Sequence, residues 1–194
     1  SERTPKFASL LYGRKVILRP YSAGFSEVEF YRLYRWSQDE EVLRWSGGTS
    51  LKMSLAEFKH MVYQDVRTPN SHRAIYVILT YAHEMIGRLG LFNLDSFRRQ
   101  AELGIVIGEK AYWGLGYGSD ALQTLLNFVF TQTNLQRIYL STYANNIRAQ
   151  RSFIKCGFHP SANSRPSLWD FRHPDEMQME ITKADWSNCE RGVP

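Results

Sequence analysis

Residues 73–80, 85–93 and 99–108 alternate at a period of two, and only four or five residues separate one segment from the next. A parallel pair of strands needs a crossover of about a dozen residues or more. Tyr81-Ala82-His83-Glu84 and Leu94-Asp95-Ser96-Phe97-Arg98 can therefore join only neighbouring antiparallel strands. Any fold open to this chain must contain that meander and arrange the rest around it.

The flanking segments read mostly as helix. Lys15–Arg19 (KVILR), closed by Pro20, reads as a first strand. Phe25–Trp36 follows as a helix, with Phe25, Val28, Phe30, Tyr31 and Tyr34 broadly on one side. Ser37-Gln38-Asp39-Glu40 supplies a capping box for a second, short helix, and Ser54-Leu55-Ala56-Glu57 another for a helix running to about Val66. Beyond the meander, a helix from Gly116 or Gly118 to Thr131 carries Ala121, Leu122, Leu125 and Val129 on one stripe. A strand at Arg137–Tyr143, a helix at Asn146–Lys155 and a strand near Asp175–Thr182 complete the order, which is that of an α+β domain. Residues 159–174 form either a surface loop or an irregular strand pair. A chain of 194 residues is expected to build one domain.

Charge narrows the partners. A net charge of +5 with a pI of about 9.2 favours an anionic partner, a nucleic acid or a polyphosphate ligand. The basic residues are scattered, adjacent only at Arg14-Lys15 and Arg98-Arg99, so no stripe for a nucleic-acid backbone can be drawn and none is predicted. The most apolar run, LLNFVF at 125–130, is far shorter than the roughly 20 residues that span a bilayer, and the first thirty residues hold no signal-type apolar block. A cytoplasmic protein with no membrane partner is expected. Cys156 and Cys189 have no histidine at ligand spacing, so both read as reduced thiols and no metal is predicted.

Within YWGLGYGSDAL (112–122), Gly114, Gly116 and Gly118 alternate just before a helical run. A dinucleotide fingerprint would need its third glycine one position later, and a P-loop would need Lys and Ser or Thr after Gly118, where Ser119-Asp120 stand. A tight turn before a helix is the plain reading. The functional one is a cradle of exposed N–H groups at a helix N-terminus, bare enough for a pyrophosphate to reach the backbone.

WGLGYG (113–118) resembles the acyl-CoA loop of the GCN5-related N-acetyltransferases, GNAT. Gly116 and Gly118 match its small positions, while Trp113 stands where the pattern has Gln or Arg. An aromatic-Trp-Gly opening is similar to the RimJ/RimL-like branch that acetylates ribosomal-protein N-termini. About 30 residues on, Asn146-Ile147-Arg148-Ala149 and Phe153-Ile154-Lys155-Cys156-Gly157-Phe158 resemble the family's second motif. VILRPY and MEITKADW are similar to the two ends of that branch, so the resemblance spans about 14–186. It implies a three-layer α+β fold, with a mixed, mostly antiparallel sheet of about seven strands between helices. It also implies acetyl-CoA as co-substrate, held by the loop Trp113, Gly114, Leu115, Gly116, Tyr117, Gly118 and Ser119.

Acyl transfer to an amine needs a held thioester, a neutral amine and a donor for the oxyanion. On the strand at 99–108, alternation sets Glu102, Gly104 and Val106 on one face. Glu102 is then either an exposed charge or a general base beside a glycine that leaves room for substrate; the resemblance supports the base. By the family's offset, pantetheine pairs with Val106, Ile107 and Gly108, and Asn146 bonds the pantetheine arm while also capping its helix. Phe153 stands where many relatives carry a proton-donating tyrosine, which leaves Tyr143, Ser152 or water for that task. Trp36, Glu41, Trp45 and Trp169 are expected to shape the acceptor site. The acceptor is a protein N-terminus or a small-molecule amine, and the assembly a monomer or homodimer. A non-catalytic acyl-CoA sensor and, more remotely, a nucleic-acid-binding module are the alternatives.

Overall fold

The computed structural model describes residues 7–46, 48–161 and 175–190. Eight strands form one sheet in the order β1-β2-β3-β4-β5-β6-β8-β7. They are β1 (Leu11–Tyr12), β2 (Val16–Pro20), β3 (Ala74–Thr80), β4 (Met85–Asp95), β5 (Gln100–Ile107), β6 (Arg137–Tyr143), β7 (His159–Pro160) and β8 (Glu176–Thr182). The meander is β3-β4-β5, antiparallel throughout. Among the described residues only β5 and β6 run parallel, and α4 (Tyr117–Gln132) makes the crossover between them. The described residues thus give eight strands, in keeping with the expected sheet of about seven. The two-residue strands β1 and β7 are too short to show a period of two.

The other helices are α1 (Glu27–Gln38), α2 (Glu40–Ser46), α3 (Leu55–Arg67), α5 (Ile147–Lys155) and α6 (Lys183–Glu190). The expected box at Ser54 caps α3: Ser54 N donates to Glu57 Oε2 at 2.7 Å, and Glu57 N donates to Ser54 Oγ at 3.2 Å. The box expected at Ser37 does not form. Ser37 donates instead to Tyr34 O, and Asp39 Oδ1 accepts from the amides of Glu41 and Val42 to cap α2. A second correction concerns α1. Phe30, Leu33 and Trp36 turn inward, whereas Val28 and Tyr31 lie on the solvent side, because the helix starts at the Ser26 cap and its buried stripe runs at i, i+3, i+6.

Strand alternation divides the core in two. Val16, Leu18, Tyr76, Ile78, Leu89, Leu91, Ala101 and Leu103 pack under α4 and α5, including the expected stripe of Ala121, Leu122, Leu125 and Val129. Ile17, Val77, Leu79 and Met85 pack under α1, α2 and α3. Helices on both faces of one sheet make three layers.

One buried carboxylate ties the N-terminal strands to α4. Asp120 accepts from the amides of Arg14 (3.1 Å), Lys15 (2.7 Å) and Val16 (3.0 Å). Asp120→Ala leaves three donors unpaired and is expected to cost about 3 kcal/mol or more of unfolding free energy. Urea unfolding at unchanged slope measures it, with Asp120→Asn recovering part of the loss. A loss under about 1 kcal/mol would show that water replaces the carboxylate.

Candidate active site

Between β5 and β6 the sheet opens. The two strands pair only at Gln100↔Arg137, Ala101↔Ile138 and Glu102↔Tyr139. On its other side β5 stays paired with β4 up to Gly87↔Ile107, and Gly108 N donates to Ile86 O at 2.9 Å. Antiparallel pairing alternates the direction of backbone groups. The amides of Gly104, Val106 and Gly108 therefore turn to β4, and those of Ile105 and Ile107 turn to the gap. Of the residues expected to pair with pantetheine, Ile107 turns its N–H to the gap, Val106 and Gly108 turn theirs to β4, and Ile105, not among those expected, also turns its N–H to the gap. Gly108 is also shut against α1, since a Cβ there would sit 2.1 Å from the Trp36 ring.

A cavity of about 890 Å³ runs through this gap. On the α4 side Gly114, Gly116 and Gly118 line it. Gly114 (φ 72°) and Gly116 (φ 86°) hold the left-handed conformation that glycine adopts without strain, and Gly116 caps α4. The amides of Tyr117, Gly118 and Ser119 in the first turn have no acceptor within the helix. Asp120 N is the first to bond back, to Gly116 O at 3.0 Å. Gly114 and Leu115 are exposed, so this bend is open, not sealed within the interior.

Opposite stands α5. Asn146, buried, caps it by accepting from Ala149 N at 3.2 Å, and it also lines the cavity, as do Ser152 and Phe153. Arg148, Arg151 and Lys155, spaced by three and four, form one basic edge of the same wall. Arg148 lies 3.8 Å over the Trp113 ring, and burial lowers its pKa. Trp113 in turn donates from Nε1 to Ile107 O at 2.7 Å, so the residue standing in the Gln/Arg position braces the open edge of β5. The chemistry of these donors fits a polyanion carried on an amide-containing arm: unpaired helix amides, three cations and a free strand edge.

On the α1–α3 face the cavity continues between Tyr21, Trp45, Asp65, Arg73, Arg88 and Phe92. Trp45, one of the residues expected to shape an acceptor site, is among these lining residues. Trp36 is not: it is only 6% exposed, packs in the core and donates to Glu109 Oε1 at 3.0 Å. Glu41 lies outside the lining and, with Asp39, holds Lys110 (2.8 and 2.9 Å). Both are consequences of packing between α1, α2 and the turn at Lys110–Tyr112, which no local pattern reports. Trp169 falls outside the described residues. Glu102 shares the face of Gly104 and Val106, accepts from Asn93 Nδ2 at 2.8 Å and stands beside the cavity, not on its lining. Leu115 and Tyr117 belong to the bend but not to the cavity wall: the Leu115 carbonyl accepts from Lys15 Nζ at 2.8 Å, and Tyr117 packs on Tyr112.

Arg73, Arg88, Arg148, Arg151 and Lys155 line the cavity but are not among the site residues expected from the sequence. The three- and four-residue spacing of Arg148, Arg151 and Lys155, and the charge of Arg88 within the apolar MIGRLGLFN strand, were the available signals. Tyr112 also lines the cavity, but its hydroxyl donates to Glu84 Oε2 at 2.6 Å, and that bond raises its pKa. Burial pushes the Cys156 thiol up to about 12, so it stays protonated at neutral pH and offers no nucleophile. Among the described residues no His, Cys, Asp or Glu side chains gather as a metal site requires, and no helix is long and apolar enough to cross a membrane.

The family model described as an acetyltransferase (GNAT) domain matches residues 15–159. The uncharacterized N-acetyltransferase p20 of Bacillus licheniformis is 28% identical over 129 residues, covering 66% of this chain and 70% of that protein. Spermidine N(1)-acetyltransferase of Vibrio cholerae is 25% identical over 114 residues, covering 58% of this chain and 65% of that protein, just under two thirds of its length. The crystal structure of spermidine N-acetyltransferase from Vibrio cholerae in complex with CoA and spermine is similar at a TM-score of 0.72 and 20% identity, over 90% of this chain and 99% of that one.

Proposed function

This chain belongs to the acetyltransferase (GNAT) domain family, and on that premise we propose that it moves an acetyl group from acetyl-CoA to a primary amine by direct attack within a ternary complex. The observation that carries the reading is the opening between β5 and β6, which joins the glycine bend on one face of the sheet to the Arg88–Trp45 chamber on the other.

Acetyl-CoA supplies an activated acyl group on a thiol leaving group. The amides of Tyr117, Gly118 and Ser119, with Arg148, Arg151 and Lys155, hold its diphosphate end. The open edge at Ile105 and Ile107 takes its amide-bearing arm as an added strand, and Asn146 lies beside that arm. An N–H of this edge donates to the oxygen on which charge develops during attack. Glu102, outside the cavity lining, takes the amine's proton through a bridging water. An amine of the lysine type has a pKa of about 10.4 and cannot attack while protonated. Ser152 or solvent returns a proton to the leaving thiolate, because Phe153 has none to give. The protein works in the cytoplasm on a protein N-terminus, as the RimJ/RimL-like branch does, or on a small amine, as a monomer or homodimer.

Release of free thiol from acetyl-CoA, followed across a panel of peptide N-termini, lysine peptides and small amines, tests the reading. Amine-dependent release supports it. Tight CoA binding with no release on any amine would replace it with the non-catalytic sensor.

A further inference from the structure

Resting on the acetyl-transfer reading, we propose that the acceptor is a primary amine that also carries a carboxylate, and that Arg88 receives that carboxylate.

Arg88 sits at the centre of the sheet, in register with Val77 on β3 and Val106 on β5, on the face turned to α1–α3. Val77 is fully buried, so an arginine beside it interrupts an apolar surface. Yet Arg88 is exposed, lines the cavity, and among the described residues has no hydrogen bond or ion pair. The other charged pair of this chamber is internally balanced, because Arg73 is bonded to Asp65. Tyr21, whose phenol is pushed up mainly by burial, adds no charge there. Among the described residues the chamber therefore keeps one uncompensated positive charge, carried by a planar donor fork that matches a carboxylate.

Among the described residues, Glu176 lines a small neighbouring hollow with Trp45 and Ser46 and not the chamber itself, and the other nearby carboxylates are held elsewhere. Glu84 is held by Arg32 and Tyr112. Glu109 is held by Arg35 and Trp36. Asp39 and Glu41 are held by Lys110. Glu102 accepts from Asn93. A polyamine brings a second ammonium that needs a free acidic partner, and none of these groups lines the chamber. An acidic amine suits it. The same positive charge disfavours the ammonium form of the bound acceptor and so favours the neutral amine that attacks.

The test compares matched acceptors in the acetyl-CoA thiol-release assay. The probes are γ-aminobutyrate against its primary amide, an Ala-Glu tetrapeptide against Ala-Gln, and spermidine. Each carboxylate member should exceed its neutral partner by about 10- to 100-fold in kcat/KM, with spermidine poorest. In Arg88→Ala that ratio should fall toward one, and Arg88→Lys should restore part of it. Gain confined to γ-aminobutyrate identifies a small acceptor, and gain confined to the peptide identifies a protein N-terminus. Equal use of amides or better use of spermidine overturns the proposal, as does a ratio unchanged in Arg88→Ala. If nothing turns over, the acetyl-transfer reading fails by itself. Calorimetric titration of the same pairs into the protein–CoA complex then decides the charge preference, with equal binding in the wild type counting against it.

Discussion

Changing Glu102 to glutamine is expected to lower turnover about 100- to 10,000-fold and to leave the calorimetric affinity for CoA unchanged. The substitution keeps the side-chain length and an oxygen able to accept from Asn93, the contact that Glu102 makes at 2.8 Å. Unfolding free energy should therefore move by no more than about 0.5 kcal/mol, as for a surface change. What is lost is the capacity to take a proton. The pH profile separates this from a packing defect. An amine whose pKa is about 10.4 deprotonates in bulk water as pH rises, so the variant should recover tenfold per unit while the wild type levels off. A deficit that stays constant up to pH 10, or falls short of tenfold at pH 7, would remove Glu102 from the chemistry.

The second large effect sets stability and binding in opposite directions. Gly118 lies in the first turn of α4 with ordinary helical φ, and a Cβ added there meets only Ile107 Cγ1, at 3.7 Å. Gly118→Ala should thus stabilise the fold, by up to about 1 kcal/mol. Gly118→Leu should also fold, but its side chain would enter the cavity beside the first-turn amides, where the proposed function seats the diphosphate. Charge-assisted hydrogen bonds contribute about 1.5–3 kcal/mol each, so losing two predicts CoA affinity at least about 100-fold weaker. Calorimetry reads the affinity and urea unfolding the stability. A leucine variant that binds CoA as the wild type does would place the diphosphate elsewhere.

These two residues also mark how far the sequence could be read. Glu102 was assigned to its face by alternation alone, and the register Gly90↔Gly104 and Phe92↔Glu102 agrees with it. The glycine bend was legible because positive φ and a helix start leave a local signature at Gly114 and Gly116. Trp36 misled for the opposite reason. An aromatic residue between two helices looks the same in sequence whether it faces a ligand or a strand, and here it closes over Gly108.

Period, turn length and capping chemistry are properties of a few consecutive residues, and they determined the meander, the long helices and the glycine bend at the start of α4. The point where β5 parts from β6, the turning of the Ile105 and Ile107 amides to the gap, the basic edge of α5 and an Arg88 that has no ion pair among the described residues all depend on segments far apart in the chain meeting in space. Those meetings follow from which faces bury together. Only the packed sheet, with α4 and α5 on one side and α1 to α3 on the other, decides them.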